Sequence, residues 1–209
     1  MFEDTFIEQE REARKEQQVI PEYLIYEMDE GKPIYYRGYK EVLAGTKTFE
    51  EIMGSSILHA VLVNLISQYF NNILNGKYAA LTGEMGLQLK YKSHRALDIG
   101  IYEKKELLKN REAIVDKYAS FSPKYIIEID TKAAFDENNK PPEYYFRKTQ
   151  QLLDFGAEKV IWFYTNDEKF MLAEKGKKRW EIGDWSENIF VEEGVVLNVG
   201  NLIDSFYGE

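Results

Sequence analysis

The amino-acid sequence predicts a mixed α/β (α+β) domain, in which a mixed β-sheet is flanked by helices and carries an N-terminal hairpin and a C-terminal β extension. Three observations carry this prediction. Residues 159–164 (KVIWFY) form a continuous apolar run, as in a strand covered on both faces. A helix over residues 56–75 places Leu58, Leu62, Leu65, Ile66, Tyr69 and Ile73 on one stripe. Short β-rich runs separated by glycine- and proline-bearing turns fill most of the remainder.

With 209 residues, 44% of them hydrophobic, the chain has enough apolar mass for one core. Residues 21–209 are expected to form a single domain behind a charged helix or arm over residues 1–20, where Glu and Arg or Lys recur at helical spacing. That arm lacks the apolar centre of a signal peptide, and no apolar run is long enough to cross a bilayer, so the expected location is the cytoplasm. The absence of cysteine excludes a disulfide framework, a thiolate zinc site and a cysteine nucleophile. A net charge of −9 argues against a surface that grips nucleic acid nonspecifically through its phosphates. It leaves room for a deep acidic site that becomes positive only when it loads a metal ion.

Along the chain, Pro21 breaks the arm, and residues 23–28 and 33–39 flank the turn Asp29-Glu30-Gly31-Lys32 as a hairpin. This hairpin reads as an antiparallel edge without chemistry of its own. Ser55 or Ser56 caps the long helix, and Gly76 stops it. Two short strands, 78–82 and 86–91, are expected around Gly83-Glu84. There follow a strand over 96–102, a helical stretch near 104–117, a strand over 124–130, a helix over 144–155 ended by Gly156, and the apolar strand 159–164 near the centre of the sheet. Strands around 170–173, 179–182 and 189–192 and a closing helix over 201–207 complete the prediction.

Three places carry candidate chemistry. In residues 124–132 (KYIIEIDTK), strand alternation sets Glu128, Asp130 and Lys132 on one face with Ile126, and Ile127, Ile129 and Thr131 on the other. The run is too apolar for an edge strand, so this charged row is expected to line a cleft. In residues 96–102 (ALDIGIY), Asp98 is a lone charge between Leu97 and Ile99. Two carboxylates on neighbouring strands repel each other unless a cation lies between them, and an all-oxygen ligand set suits Mg²⁺ or Mn²⁺. On the helix over 144–155, Lys148 points with Tyr145, Leu152 and Phe155 towards the core. There it either packs its stem or steadies negative charge developing on phosphorus.

His59, in the first turn of the long helix, is read as a boundary residue within reach of a cleft, and His94, in the polar run KSHR, as a solvated loop residue. No phosphate-binding glycine loop, nucleophile elbow or dinucleotide fingerprint is present.

The order of these pieces resembles the Uma-type endonuclease family of the PD-(D/E)-x-K restriction-endonuclease-like superfamily, over residues 21–206. The opening hairpin Tyr26-Glu27-Met28-Asp29-Glu30-Gly31, the helix start Ser56-Ile57-Leu58-His59 and the strand Leu97-Asp98-Ile99-Gly100-Ile101 each resemble a family motif. So do Tyr125-Ile126-Ile127-Glu128-Ile129, the helix in which Lys148 stands eight residues before Gly156, and the aromatic strand Val160-Ile161-Trp162-Phe163. The chain departs from the family at Leu97, which stands in place of a proline, and at Asp130, which stands where the superfamily has its lysine.

The resemblance implies a restriction-endonuclease-like core and a DNA endonuclease that hydrolyses phosphodiester bonds with Mg²⁺ or Mn²⁺. Asp98 and Glu128, joined by Asp130, would be the metal ligands, His59 a cleft residue, and Lys132 or Lys148 the site lysine. It also implies a homodimer. The competing expectation, favoured by the acidic composition, is a noncatalytic binding or assembly module that retains this fold.

Overall fold

The computed structural model describes residues 20–112, 118–137 and 139–208. The expected N-terminal arm, apart from Ile20, lies outside these residues, as does the end of the helical stretch proposed near 104–117. The predicted hairpin is formed by β1 (Ile25–Asp29) and β2 (Lys32–Tyr35), with Gly31 at φ +85° making the turn. Two short helices that the sequence reading did not foresee follow, α1 (Tyr39–Leu43) and α2 (Phe49–Met53). A reciprocal capping box between Thr48 and Glu51 starts the second of them.

The long helix α3 (Ile57–Asn72) begins at Ser56, whose hydroxyl accepts the His59 N–H at 3.1 Å, and it ends in a 3₁₀ turn, Ile73–Gly76. The two short strands expected next are a single strand, β3 (Tyr78–Lys90). Gly83-Glu84 makes no turn. It forms a bulge, where the register with the next strand slips between Thr82 and Met85 and Gly83 takes φ +99°.

The next strand, β4 (Ser93–Glu103), is longer than expected. It includes His94, whose ring stacks on Tyr118 at 4.9 Å instead of lying in a loop. After α4 (Lys104–Lys109) come β5 (Tyr125–Ile129), α5 (Pro141–Phe155), β6 (Lys159–Tyr164), β7 (Lys169–Glu174) and β8 (Glu181–Asp184). A separate hairpin of β9 (Ile189–Glu192) and β10 (Val195–Leu197) leads into α6 (Val199–Tyr207).

The sheet runs β2-β1-β4-β5-β6-β7-β8, with β3 on β4, and β5 with β6 is its one parallel pair among the described residues. The helix α5 makes the crossover that a parallel pair requires. The chain is thus a mixed α+β fold with a mostly antiparallel sheet flanked by helices. On one face Leu62, Ile66 and Phe70 of α3 pack on Ile99, Ile127 and Ile161, together with Val191, Val195 and Val199 of the C-terminal extension. On the other face Tyr144, Leu152 and Leu153 of α5 pack on Ile126, Val160 and Trp162. Each such buried side chain stabilises the fold by roughly 1.5–3 kcal/mol.

The sheet forks at β4. One edge of β4 is paired with β3 from Lys90↔Ser93 to Tyr78↔Glu103. The opposite edge is shared. There β1 pairs only at Met28↔His94, and β5 pairs only from Ile99↔Ile127 to Ile101↔Tyr125. Between these two contacts, residues 95–98 have no strand on that side.

Candidate functional site

A buried strand edge must satisfy its backbone groups in some other way, because an unpaired amide or carbonyl is costly away from water. In the fork, side chains do this. The Ala96 N–H donates to Glu27 Oε1 at 3.1 Å, and the Ala96 carbonyl accepts from Lys148 Nζ at 2.8 Å. The Ile129 N–H, two residues past Ile127 where the pairing of β5 with β4 ends, donates to Asp98 Oδ2 at 2.7 Å. Asp98 and Lys148 are therefore part of the sheet's own hydrogen bonding, as well as candidates for chemistry.

Behind the fork lies a cluster of buried charges. Lys148 is fully buried, and its three ammonium protons match three acceptors: the Ala96 carbonyl, Glu27 Oε1 at 2.9 Å and Glu128 Oε2 at 3.1 Å. The other oxygen of Glu27 accepts from Arg95 Nη1 at 2.9 Å and from the Tyr144 hydroxyl at 3.0 Å. Arg95, also fully buried, reaches Asp29 at 3.1 Å and donates to Gln151 Oε1 from Nε and Nη2 at 2.9 and 2.6 Å. Burial alone would neutralise such groups, so what matters is their pairing.

Burial works against the charge on Lys148, but Glu128 and Glu27 hold its pKa well above the ordinary lysine value. Glu27 stays below the usual carboxylate value, since Lys148 and Arg95 overcome its burial. Glu128 goes the other way. Burial pushes its pKa well above the usual range against the pull of Lys148, and the nearby charges of Asp98 and Glu27 add to the rise. Its Oε1 is buried and has no hydrogen-bond partner.

In front of the fork is a cleft of about 400 Å³, lined among others by Tyr26, Arg37, His59, Asp98, Asp130 and Lys132. Asp98 Oδ1 lies 3.2 Å from His59 Nε2 there, with the two side chains only 11% and 15% exposed. The start of α3 thus delivers its histidine to the carboxylate of β4.

Of the residues singled out in the sequence, Asp98, Glu128, Lys148 and His59 come together in one connected cluster. Asp130 and Lys132 do not share the face of Glu128, because β5 ends at Ile129 and Asp130 turns to φ +53°, which breaks the alternation. The Asp130 oxygens accept from the Thr165 N–H at 3.0 Å and the Thr165 hydroxyl at 2.6 Å, so both are engaged by Thr165 at the cleft. Lys132 lies on the cleft wall, where its carbonyl accepts from the Arg37 N–H. Glu27 and Arg95 were not anticipated. The signal for Glu27 was its carboxylate within the apolar strand IYEMD, and for Arg95 its place two residues before the Leu97-Asp98 step.

Among the described residues, no set of three or more His, Asp or Glu side chains is arranged to hold a metal ion alone. No helix among them is long and apolar enough to cross a membrane.

The fold has a counterpart among solved structures. It is similar to the crystal structure of a protein from Anabaena variabilis described as a "putative nuclease belonging to DUF820", with a TM-score of 0.61 over 85% of this chain and 89% of that one. At 12% sequence identity, this likeness speaks for the fold alone. No family model matches the chain, and no curated protein matches it significantly.

Proposed function

We propose that the protein is a divalent-metal-dependent nuclease of the PD-(D/E)-x-K type, hydrolysing phosphodiester bonds in DNA, with Asp98 and Glu128 as its metal ligands. The observation that carries this reading is the carboxylate of Glu128, which has one oxygen on Lys148 and the other buried without a partner beside the charge of Asp98. An unpaired buried carboxylate oxygen is costly, and a cation shared with Asp98 would remove both that cost and the repulsion between the two groups. The donor set fits Mg²⁺ or Mn²⁺. Mg²⁺ is commonly held by one or two carboxylates and keeps several waters, so Asp130 is not needed.

The chemistry such an ion supplies is polarisation of the scissile phosphate and activation of a water. The protein's own residues do the rest. Lys148 holds Glu128, and because its three protons are already committed it acts by positioning instead of by touching the phosphate. Arg37 and Lys132 on the cleft wall supply positive charge for a phosphate. His59 stands at the cleft with Nε2 on Asp98, where it would carry a proton to or from the reacting groups.

One observation favours a second reading, a noncatalytic module that retains the fold: both oxygens of Asp98 are already bonded, to the Ile129 N–H and to His59. Mn²⁺-dependent cleavage of a mixture of single- and double-stranded DNA, with Glu128→Gln as the control, separates the two. Cleavage by the wild type that disappears in E128Q supports the nuclease. A wild type that cuts none of the substrates supports the module.

A further inference from the structure

We infer that Glu27 is a positioning residue that sets both halves of the candidate metal site at once, an inference that rests on the nuclease reading above. Glu27 comes from β1, outside the pair of strands that carry the two candidate ligands. Its carboxylate nonetheless touches the support of each. Oε1 accepts the N–H of Ala96, two residues before Asp98, at 3.1 Å. The same oxygen is 2.9 Å from Lys148 Nζ, which in turn holds Glu128 Oε2 at 3.1 Å and the Ala96 carbonyl at 2.8 Å. Ala96, Glu27 and Lys148 close a ring of short contacts that is joined to Asp98 through the backbone of β4 and to Glu128 through the ammonium, and Glu27, Lys148 and Glu128 are all buried.

The chemistry of the contacts explains why the residue has to be an acid. Glu27 is the counter-ion of two buried cations, Lys148 and Arg95, and accepts the Tyr144 hydroxyl as well. Lys148 also faces Glu128, so the ammonium is shared between two carboxylates. If Glu27 did not take part of that charge, Lys148 would be drawn towards Glu128 alone and would lose its fixed place between β1, β4 and β5. Glu27 thus keeps Lys148 centred, and a centred Lys148 leaves Glu128 Oε1 bare for the cation. Partners that orient metal-bound carboxylates in this way are typically worth 10- to 100-fold in metal affinity when removed.

Glu27→Gln tests this, since the amide keeps the size and one acceptor but removes the charge. Two measurements are made on the same folded variant: calorimetric titration with Mn²⁺, and a crystal structure of the metal-free protein. The expected result is Mn²⁺ binding about 10- to 100-fold weaker than in the wild type, together with displacement of Lys148 Nζ and a changed Glu128 carboxylate orientation. If E27Q binds Mn²⁺ as the wild type does, with Glu128 and Lys148 in place, Glu27 is only a structural counter-ion and the inference is overturned. If the wild type binds no Mn²⁺, the nuclease reading fails by itself. The E27Q structure then still decides whether Glu27 orients Glu128, since an unmoved Glu128 rejects the inference and a moved one upholds the positioning.

Discussion

Glu27 and Glu128 hold the same lysine ammonium, at 2.9 and 3.1 Å, although they lie on different strands and are 101 positions apart in the chain. Lys148 is thereby the pivot of the buried charge cluster. Replacing it with methionine would keep an unbranched side chain in the cluster but remove the ammonium that lies over the Trp162 and Tyr144 rings, and would leave two buried carboxylates without their shared cation. Lys148→Met should therefore destabilise the fold by about 3–5 kcal/mol in a urea titration. A loss below about 1 kcal/mol would show that the two acids are neutral in the native state and that the ion pairs contribute little.

His59 separates the catalytic from the structural reading of the cleft. Glutamine keeps a hydrogen-bond donor for Asp98, so His59→Gln should cost only about 1 kcal/mol of stability. Because the substitution removes no proposed ligand, Mn²⁺ affinity should be retained or raised. DNA cleavage, in contrast, should fall about 10²- to 10⁴-fold if the imidazole moves a proton in the reaction. Unchanged cleavage would remove His59 from the mechanism.

A second charged cluster, at the opposite ends of β4 and β5 from the fork, predicts acid sensitivity. The hydrogen bond from Lys105, with Lys124 assisting against burial, holds the Glu103 pKa down to about 2 from its ordinary 4.5. In Glu192, burial is overcome by hydrogen bonds from Lys124, Tyr78 and Lys77, and the pKa is likewise lowered. A depressed folded-state pKa gives stabilisation that is complete above the unfolded value and is lost as the pH falls through the folded one. Melting temperature should accordingly drop steeply between about pH 4.5 and about pH 2. Glu192→Gln should melt lower near neutrality and lose less on acidification. An equal slope in both proteins would place the acid-labile groups elsewhere, for instance at Glu27.

The parts of this molecule that follow local rules were legible in the sequence. The helical stripe of α3, the covered strand β6, the lone acid Asp98 and the inward aim of Lys148 each depend on periodicities of 3.6 or 2, which one segment displays by itself. The parts that were not legible are nonlocal. Glu27 looked like an edge residue because nothing within the hairpin reveals that β1 and β5 share one side of β4, leaving a gap that its carboxylate fills. Arg95 looked like part of a solvated turn for the same reason. Alternation was carried three residues too far, from Asp130 to Lys132, since the turn to positive φ that ends β5 leaves no periodic signal, and aspartate tolerates that conformation well enough to be silent about it. The bulge at Gly83 misled in the opposite direction, since its glycine reads as a turn when the strand in fact continues.

Calorimetric titration of Mn²⁺ into the wild type and Asp98→Ala, with cleavage assayed on the same samples, tests most directly the proposal that Asp98 and Glu128 would together hold a divalent cation needed for DNA cleavage. The account predicts binding and cleavage in the wild type and the loss of both in D98A, with the variant still folded by circular dichroism. A wild type that binds no Mn²⁺, or a folded D98A that binds and cuts as before, would contradict it.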